Sequence, residues 1–323
     1  MFLEDIHKYP GLFQNYRKGP TITTTTELTK INIITITLSE YTQNAVDISL
    51  VTLGASLNLS IIFIVALNSS LRVSTNCYII SLVASNLVIM IEPSRRILRS
   101  IFELNIPMNL DYVFHVSFYS SVLTIVIFSI ENYICICERQ TSIYENFTKL
   151  SNTTKRIVFI WLTSIMITAM ELHLYDHFER DDMHDIFAAS TIMFMVLPFL
   201  ILILIYCAII YELLSIKSIE GQWRPKDLEN FHLSIRLSWV FFFTMIPYRI
   251  AKVITALNPN AKWCCSTKQM EIFYLLIKIF PIVSTIVCYV TYEKFRKAIC
   301  FKIRFVLIII IKFIIDIKDS FCL

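Results

Sequence analysis

The chain has 323 residues, of which 56% are hydrophobic and 17% charged, with a net charge of +4 and a mean hydropathy of +0.63. That balance is too apolar for an ordinary soluble domain of this length. With so few charges and only four glycines, nothing points to a nucleic-acid binder or a phosphate-cradling glycine loop.

Residues 1–10 contain charges and no apolar core, so no cleavable signal peptide is expected there. Up to residue 45 the chain is polar, with a threonine tract at 21–29 and no helical or strand periodicity, which reads as an unstructured tail. A membrane-spanning helix needs about 20 mainly apolar residues. Stretches at 46–67, 77–98, 112–137, 157–174, 186–211, 233–254 and 270–292 meet that need. Backbone polar groups in lipid must be satisfied within the segment or in a closed barrel, and stretches this long are helices. The fold class is therefore an all-α membrane protein, a seven-transmembrane-helix bundle over 46–292, followed by a tail at 293–323. The Lys and Arg bias of the loops favours an extracellular N-terminus, though only mildly. The glycosylation-type triplets at Asn68, Asn146 and Asn152 would then all be cytosolic, which pulls the other way.

The third stretch ends in "FSIENYICICERQ", residues 128–140, where Glu131 and Asn132 sit side by side at the edge of an apolar run. A carboxylate there needs either a water-facing helix end or a polar interior. Glu131-Asn132-Tyr133 resembles the Asp/Glu-Arg-Tyr motif that closes the third helix of rhodopsin-like G-protein-coupled receptors. "LRVSTNCYIISLVASNL" at 71–87 is similar to that family's first inner loop and second helix. Asn58 in "GASLN", Trp161, Pro198 with Tyr206, and "FFFTMIPY" at 241–248 fall where the family carries its helix markers. "YEKFRKAIC" at 292–300 resembles a short amphipathic eighth helix ending in an acylated cysteine, here Cys300. The resemblance covers roughly residues 46–300 and implies a plasma-membrane, multi-pass receptor that uses no cofactor. Its partners would be an extracellular ligand, a heterotrimeric G protein and membrane lipids. It places Glu131 at the cytoplasmic mouth of the third helix, in reach of water.

Five departures from the family pattern have physical consequences. The motif arginine is Asn132, a neutral amide that cannot bring the family's positively charged donor to an acid or to a G protein. The second helix's acid is Asn86, so Asn58, Asn86, Ser121 and Ser284 would form a neutral interior network without a hard-cation site. Met245 stands in place of the sixth helix's switch tryptophan, a softer filler. "STIVC" at 284–288 replaces Asn-Pro-x-x-Tyr, unless Phe280-Pro281 holds that place in a gapped alignment. The outer disulfide lacks both partners: Pro107 occupies one position, and the loop at 171–185 has no cysteine. Glu131, Asn132, Tyr133, Tyr206 and Met245 are the candidate switch and G-protein-coupling residues.

Candidate ligand-binding residues lie in the outer half: Glu92, Asp111, Phe114, Tyr248, Arg249, Lys252 and Lys278. Phe114 takes the position of the amine-receptor acid, so a peptide fits better than an amine. Lys278 falls where opsins hold their retinal lysine, but the altered surroundings favour an ion pair with Glu92. The loop "ELHLYDHFERDDMHD" is rich in acids, Glu171 among them, and would steer a cationic peptide. His173 and His177, spaced i,i+4, would make a metal pair only if helical and are not assigned one. No nucleophile–base pair suggests an enzyme. A decoy receptor of the same fold and a seven-helix chemoreceptor channel with its N-terminus inside remain as alternatives. The apolar run at 305–317 is too short to span comfortably and suits the membrane surface.

Overall fold

The computed structural model describes residues 27–103, 110–138, 141–177, 180–220, 225–257, 266–293 and 295–297; at some helical positions, including 27–41, it describes the backbone alone. Among the described residues seven helices are long and apolar enough to cross a membrane: Thr42–Leu67, Ser74–Arg99, Tyr112–Cys137, Leu150–Leu174, Asp185–Ser218, Leu228–Thr255 and Gln269–Thr291. They are called here the first to seventh spans. Among the described residues there is no strand. Each span coincides with a stretch expected from hydropathy, with ends extended by up to seven residues where polar residues continue the helix beyond the apolar run.

The third span is the centre of the bundle. Two thirds of its apolar window (67%) is buried, against 22% for the first and fourth spans, which therefore line the outside. Phe63, Phe159, Leu204 and Phe243 project outward with most of their surface exposed, as lipid-facing residues do. Inside, Phe118, Phe241 and Phe280 are fully buried and pack ring against ring across the third, sixth and seventh spans. Burying each such ring removes on the order of 150–250 Å² from contact with the surroundings.

Prolines shape the helices that carry the polar residues. Pro93 has no N–H to offer Ile89, and the second span breaks there into Ser74–Ile89 and Ile91–Phe102, joined at Met90. Pro247 and Pro281 lie within the sixth and seventh helices. The Pro281 carbonyl accepts side-chain hydrogen bonds, as described below. The fifth span contains a π-helical turn, Ile192–Val196, just before Pro198. A capping box opens the seventh helix: Ser266 N–H donates to Gln269 Oε1 (2.9 Å), and Gln269 N–H donates to Ser266 Oγ (3.4 Å). Gly54 lets the first span approach the second closely; a Cβ there would stand 1.7 Å from Met90 Cε and 3.3 Å from Ile282 Cγ1.

One expectation is corrected here. The tail read as unstructured up to residue 45 is helical from Glu27, and a single helix runs Glu27–Leu67. Once a membrane-spanning helix is nucleated, each added residue gains a backbone bond without a new nucleation cost, so a polar, threonine-rich sequence can continue it. Past the seventh span, Glu293 N–H donates to Glu229 Oε1 (2.6 Å) on the sixth helix. Burial, with the Glu229 charge adding, pushes Tyr292 up to about 12. A hydrogen bond from Lys297 and its charge hold the exposed Glu293 carboxyl below its usual range. Glu293 and residues 295–297 are helical, and the rest of the expected eighth helix, Cys300 and the 305–317 run lie outside the described residues.

Candidate functional site

Glu131 lies on the third span and is 3% exposed, so it is buried and not open to water as the sequence reading expected. The correction has a visible cause, because the second and fourth spans supply a full set of donors. Ser74 donates to one carboxylate oxygen, and Tyr78 (2.7 Å) and Arg156 (2.8 Å) donate to the other. Arg156 is itself held by the Phe147 carbonyl (2.6 Å), Thr153 Oγ1 (2.8 Å) and the Phe147 ring. The cation missing at position 132 is thus met by an arginine from the fourth span. Hydrogen bonds to charged groups contribute about 1.5–3 kcal/mol each, enough in combination to offset the burial of this pair. Asn132 is buried too and makes a long contact to the Asn230 carbonyl (3.4 Å), while Tyr133 is half-buried against the core.

Tyr206 of the fifth span ends in a cluster of hydroxyls. Its phenol is bonded to Ser129 (2.9 Å), Ser234 (3.1 Å) and Ser238 (2.6 Å), and Ser129 also meets Ser234 (2.8 Å). The third, fifth and sixth spans are therefore fastened at this end by neutral bonds, each worth only about 1 kcal/mol net.

Midway, Asn58, Asn86 and Ser284 meet as the sequence implied. Asn86 Nδ2 donates to Asn58 Oδ1 (2.9 Å) and Ser284 Oγ (3.0 Å), and Asn58 Nδ2 donates to the Gly54 (2.8 Å) and Pro281 (3.0 Å) carbonyls. Thr285, which the sequence does not single out, completes the joint through Asn58 Oδ1 (2.9 Å) and the Pro281 carbonyl (2.7 Å). Ser121 is buried, but its Oγ has no hydrogen-bond partner among the described residues, and neither has Asn86 Oδ1. Trp161 Nε1 donates to Ser81 Oγ (3.1 Å), tying the fourth span to the second. Met245 is fully buried in the core.

At the opposite end from Glu131 the charged residues are arranged differently. Lys278 Nζ donates to Asp47 Oδ1 at 2.7 Å, both largely buried, so the ion pair seen at Lys278 reaches the first span. Asp47 lies one residue inside the apolar stretch read from sequence, and nothing in that stretch marks it as a partner. Glu92 is half-buried in the first turn of Ile91–Phe102, where the helix dipole favours an acid. Tyr248 and Tyr274 rings pack at 5.8 Å, with the Lys252 and Lys278 ammonium groups near one ring each. Phe114 stacks on Phe118. The side chains of Asp111 and His177 lie outside the described residues; His173 is exposed.

Two buried charged residues at this end need separate description, and one of them stands elsewhere than the sequence suggests. Glu171, read as a loop acid, is inside the fourth span and 5% exposed, because the helix runs on to His177. It accepts a hydrogen bond from Tyr119 and lies 3.9 Å from His115 Nε2; Tyr119 also meets Ser190 Oγ (2.9 Å). Arg249, expected in the pocket, is 3% exposed, with its guanidinium 4.2 Å from the Phe118 ring centre and 5.3 Å from that of Phe187. Neither terminal nitrogen has a hydrogen-bond partner among the described residues. Desolvated ring contacts return about 2 kcal/mol or more, and Glu171 lies within electrostatic reach of the same Tyr119 phenol as Arg249. Among the described residues Arg249 is thus a buried cation whose terminal nitrogens are left short of hydrogen bonds. Among them, too, no group of three or more metal-ligating side chains occurs.

The sequence model of the family described as "7 transmembrane receptor (rhodopsin family)" matches residues 57–290, well over half of the chain. No curated protein matches it.

Proposed function

We propose, because the chain belongs to the rhodopsin family of seven-transmembrane receptors, that it relays an extracellular ligand to a heterotrimeric G protein, and that the ligand is a peptide. In this reading the N-terminus is outside, the Arg249 end takes the ligand, and the Glu131 end faces the cytoplasm of the cell whose surface carries the receptor. The observation that carries it is the sixth span. One helix, with Pro247 inside it, holds Arg249 and its unpartnered nitrogens near one end and Ser234 and Ser238 at the other. A ligand bound at Arg249 would change the balance of a helix whose far end is held by the hydroxyl cluster together with the Asn132–Asn230 contact and the Glu293–Glu229 bond, and not by a buried ion pair among the described residues, which suits a two-state displacement. The arrangement at Glu131 fits a fixed platform, because its partners lie on the second and fourth spans and not on the sixth.

The test is basal nucleotide exchange on a panel of G proteins, with receptors at equal surface density. Replacing Ser234 and Ser238 together by alanine loosens the sixth span and is expected to raise exchange several-fold. Asn132→Arg, which restores the family's cation, is expected to raise it as well. Silence of both variants on every G protein would favour the decoy reading, which the neutral Asn132 motivates. Side-specific tagging of Met1 in intact cells checks the orientation, and a cytosolic tag would sink the receptor reading in favour of the channel.

A further inference from the structure

We infer that Arg249 is the anchor for a carboxylate on the ligand, held edge-on by the two terminal nitrogens of its guanidinium. The rings of Phe118 and Phe187 lie against this group and supply apolar contact, but no acceptor for its N–H donors. Those donors lie in the guanidinium plane, and the terminal ones are unpartnered in a side chain that is 3% exposed. A planar, bidentate anion matches that pair of donors, and a guanidinium is the side chain best shaped to receive it. The neighbouring acid does not take this role. Glu171 is engaged by Tyr119 and sits beside His115, and although both charges act on the Tyr119 phenol, no hydrogen bond or ion pair joins Glu171 to Arg249 among the described residues.

The surroundings narrow the class of anion. Phe114 packs on Phe118, Phe118 packs on Phe241, and Tyr119 lies against Phe194 at 4.5 Å between ring centres. Facing a single guanidinium among these rings, a dianionic phosphate would give up far more hydration than a singly charged carboxylate. The fitting group is a carboxylate beside an aromatic or aliphatic body. The C-terminus of a peptide ending in an apolar residue has that form, and so does a free aryl-alkanoic acid. This inference rests on the receptor reading for the direction of ligand entry, but not on coupling to a G protein.

The test uses the full-length receptor in lipid nanodiscs and its thermal unfolding midpoint at neutral pH. The probes are N-acetylphenylalanine, its carboxamide, 3-phenylpropionate and inorganic phosphate, at equal ionic strength. The acid is expected to raise the midpoint by several degrees in a saturable way and the amide not to, since only a ligand that prefers the folded state stabilises it. Arg249→Met is expected to abolish the difference between acid and amide while leaving the unliganded midpoint equal or higher. A purely structural arginine would lower that midpoint. Arg249→Lys keeps the charge without the fork and is expected to need about tenfold more acid for half the shift. Equal protection by acid and amide overturns the inference, and so does an acid advantage that survives in Arg249→Met. An unaltered acid response in Arg249→Lys overturns the bidentate geometry, and equal protection by phosphate overturns the carboxylate assignment. Stronger protection by N-acetylphenylalanine than by 3-phenylpropionate supports a peptide terminus as the source, and the reverse supports a free acid. An intact acid-over-amide difference without nucleotide exchange in any variant keeps this inference and removes the signalling one.

Discussion

The two ends of the bundle bury charge in opposite ways. At Glu131 both carboxylate oxygens are engaged, by Ser74, Tyr78 and Arg156, and the arginine in turn has a carbonyl, a hydroxyl and a ring. At Arg249 the charge is as deeply buried, yet among the described residues its terminal nitrogens have no hydrogen-bond partner and lie against aromatic rings. Desolvation is comparable in the two places, so the difference lies in what offsets it. A charge satisfied from within acts as a fastener. A charge left in deficit is a reservoir of interaction that something else can complete.

The comparison breaks most readily at Arg156. Arg156→Met strands Glu131 and is expected to cost about 3 kcal/mol or more, seen as a fall in the unfolding midpoint or in surface yield. Adding Glu131→Gln should restore part of the loss. A silent Arg156→Met would mean that Glu131 is not fastened at all, and the contrast with Arg249 would vanish. Next in size is the pair Lys278–Asp47. Neutralising either is expected to destabilise, and the double variant should reveal a coupling of about 0.5–3 kcal/mol. Additive losses in a double-mutant cycle would remove the pair. A smaller effect is expected at Trp161→Phe, which deletes one hydrogen bond to Ser81 and should cost about 1 kcal/mol. At the neutral middle no ion-specific effect is expected. The joint of Asn58, Asn86, Ser284 and Thr285 has no carboxylate, so the midpoint in sodium chloride and in N-methylglucamine chloride should agree. A sodium-specific shift would place a cation among these amides.

The fold is legible in the sequence because hydropathy acts along the chain: each span is a run of neighbours, and all seven can be read from it. The network at Asn58, Asn86 and Ser284 is legible for a different reason, since the family resemblance assigns these polar residues to the interior of the first, second and seventh helices. Pairing between spans is not legible in this way. Nothing near Glu131 in sequence announces Arg156 on the fourth span, and nothing near Lys278 announces Asp47. Span ends hide the rest. Glu171 reads as a loop acid because it opens the acid-rich 171–185 segment at the very end of the 157–174 stretch, while the helix goes on to His177; Asp47 sits at the other margin, beside the start of the first run. Tyr119, His115 and Ser190 carry no signal of their own, although a buried acid such as Glu171 demands donors and so points toward them once its burial is known.

The glycine at position 54 ties the first two spans to a single thioether. Met90 Cε occupies the space a side chain at Gly54 would fill, at the junction where the second span breaks, and Met90 is itself 5% exposed. Oxidation of that sulfur to the sulfoxide would set a polar oxygen in an apolar seam, beside the cavity that Met90 lines with Val51, Ala55 and Leu87. The seam between these helices is therefore also the place where a chemical change at one side-chain atom is felt by both.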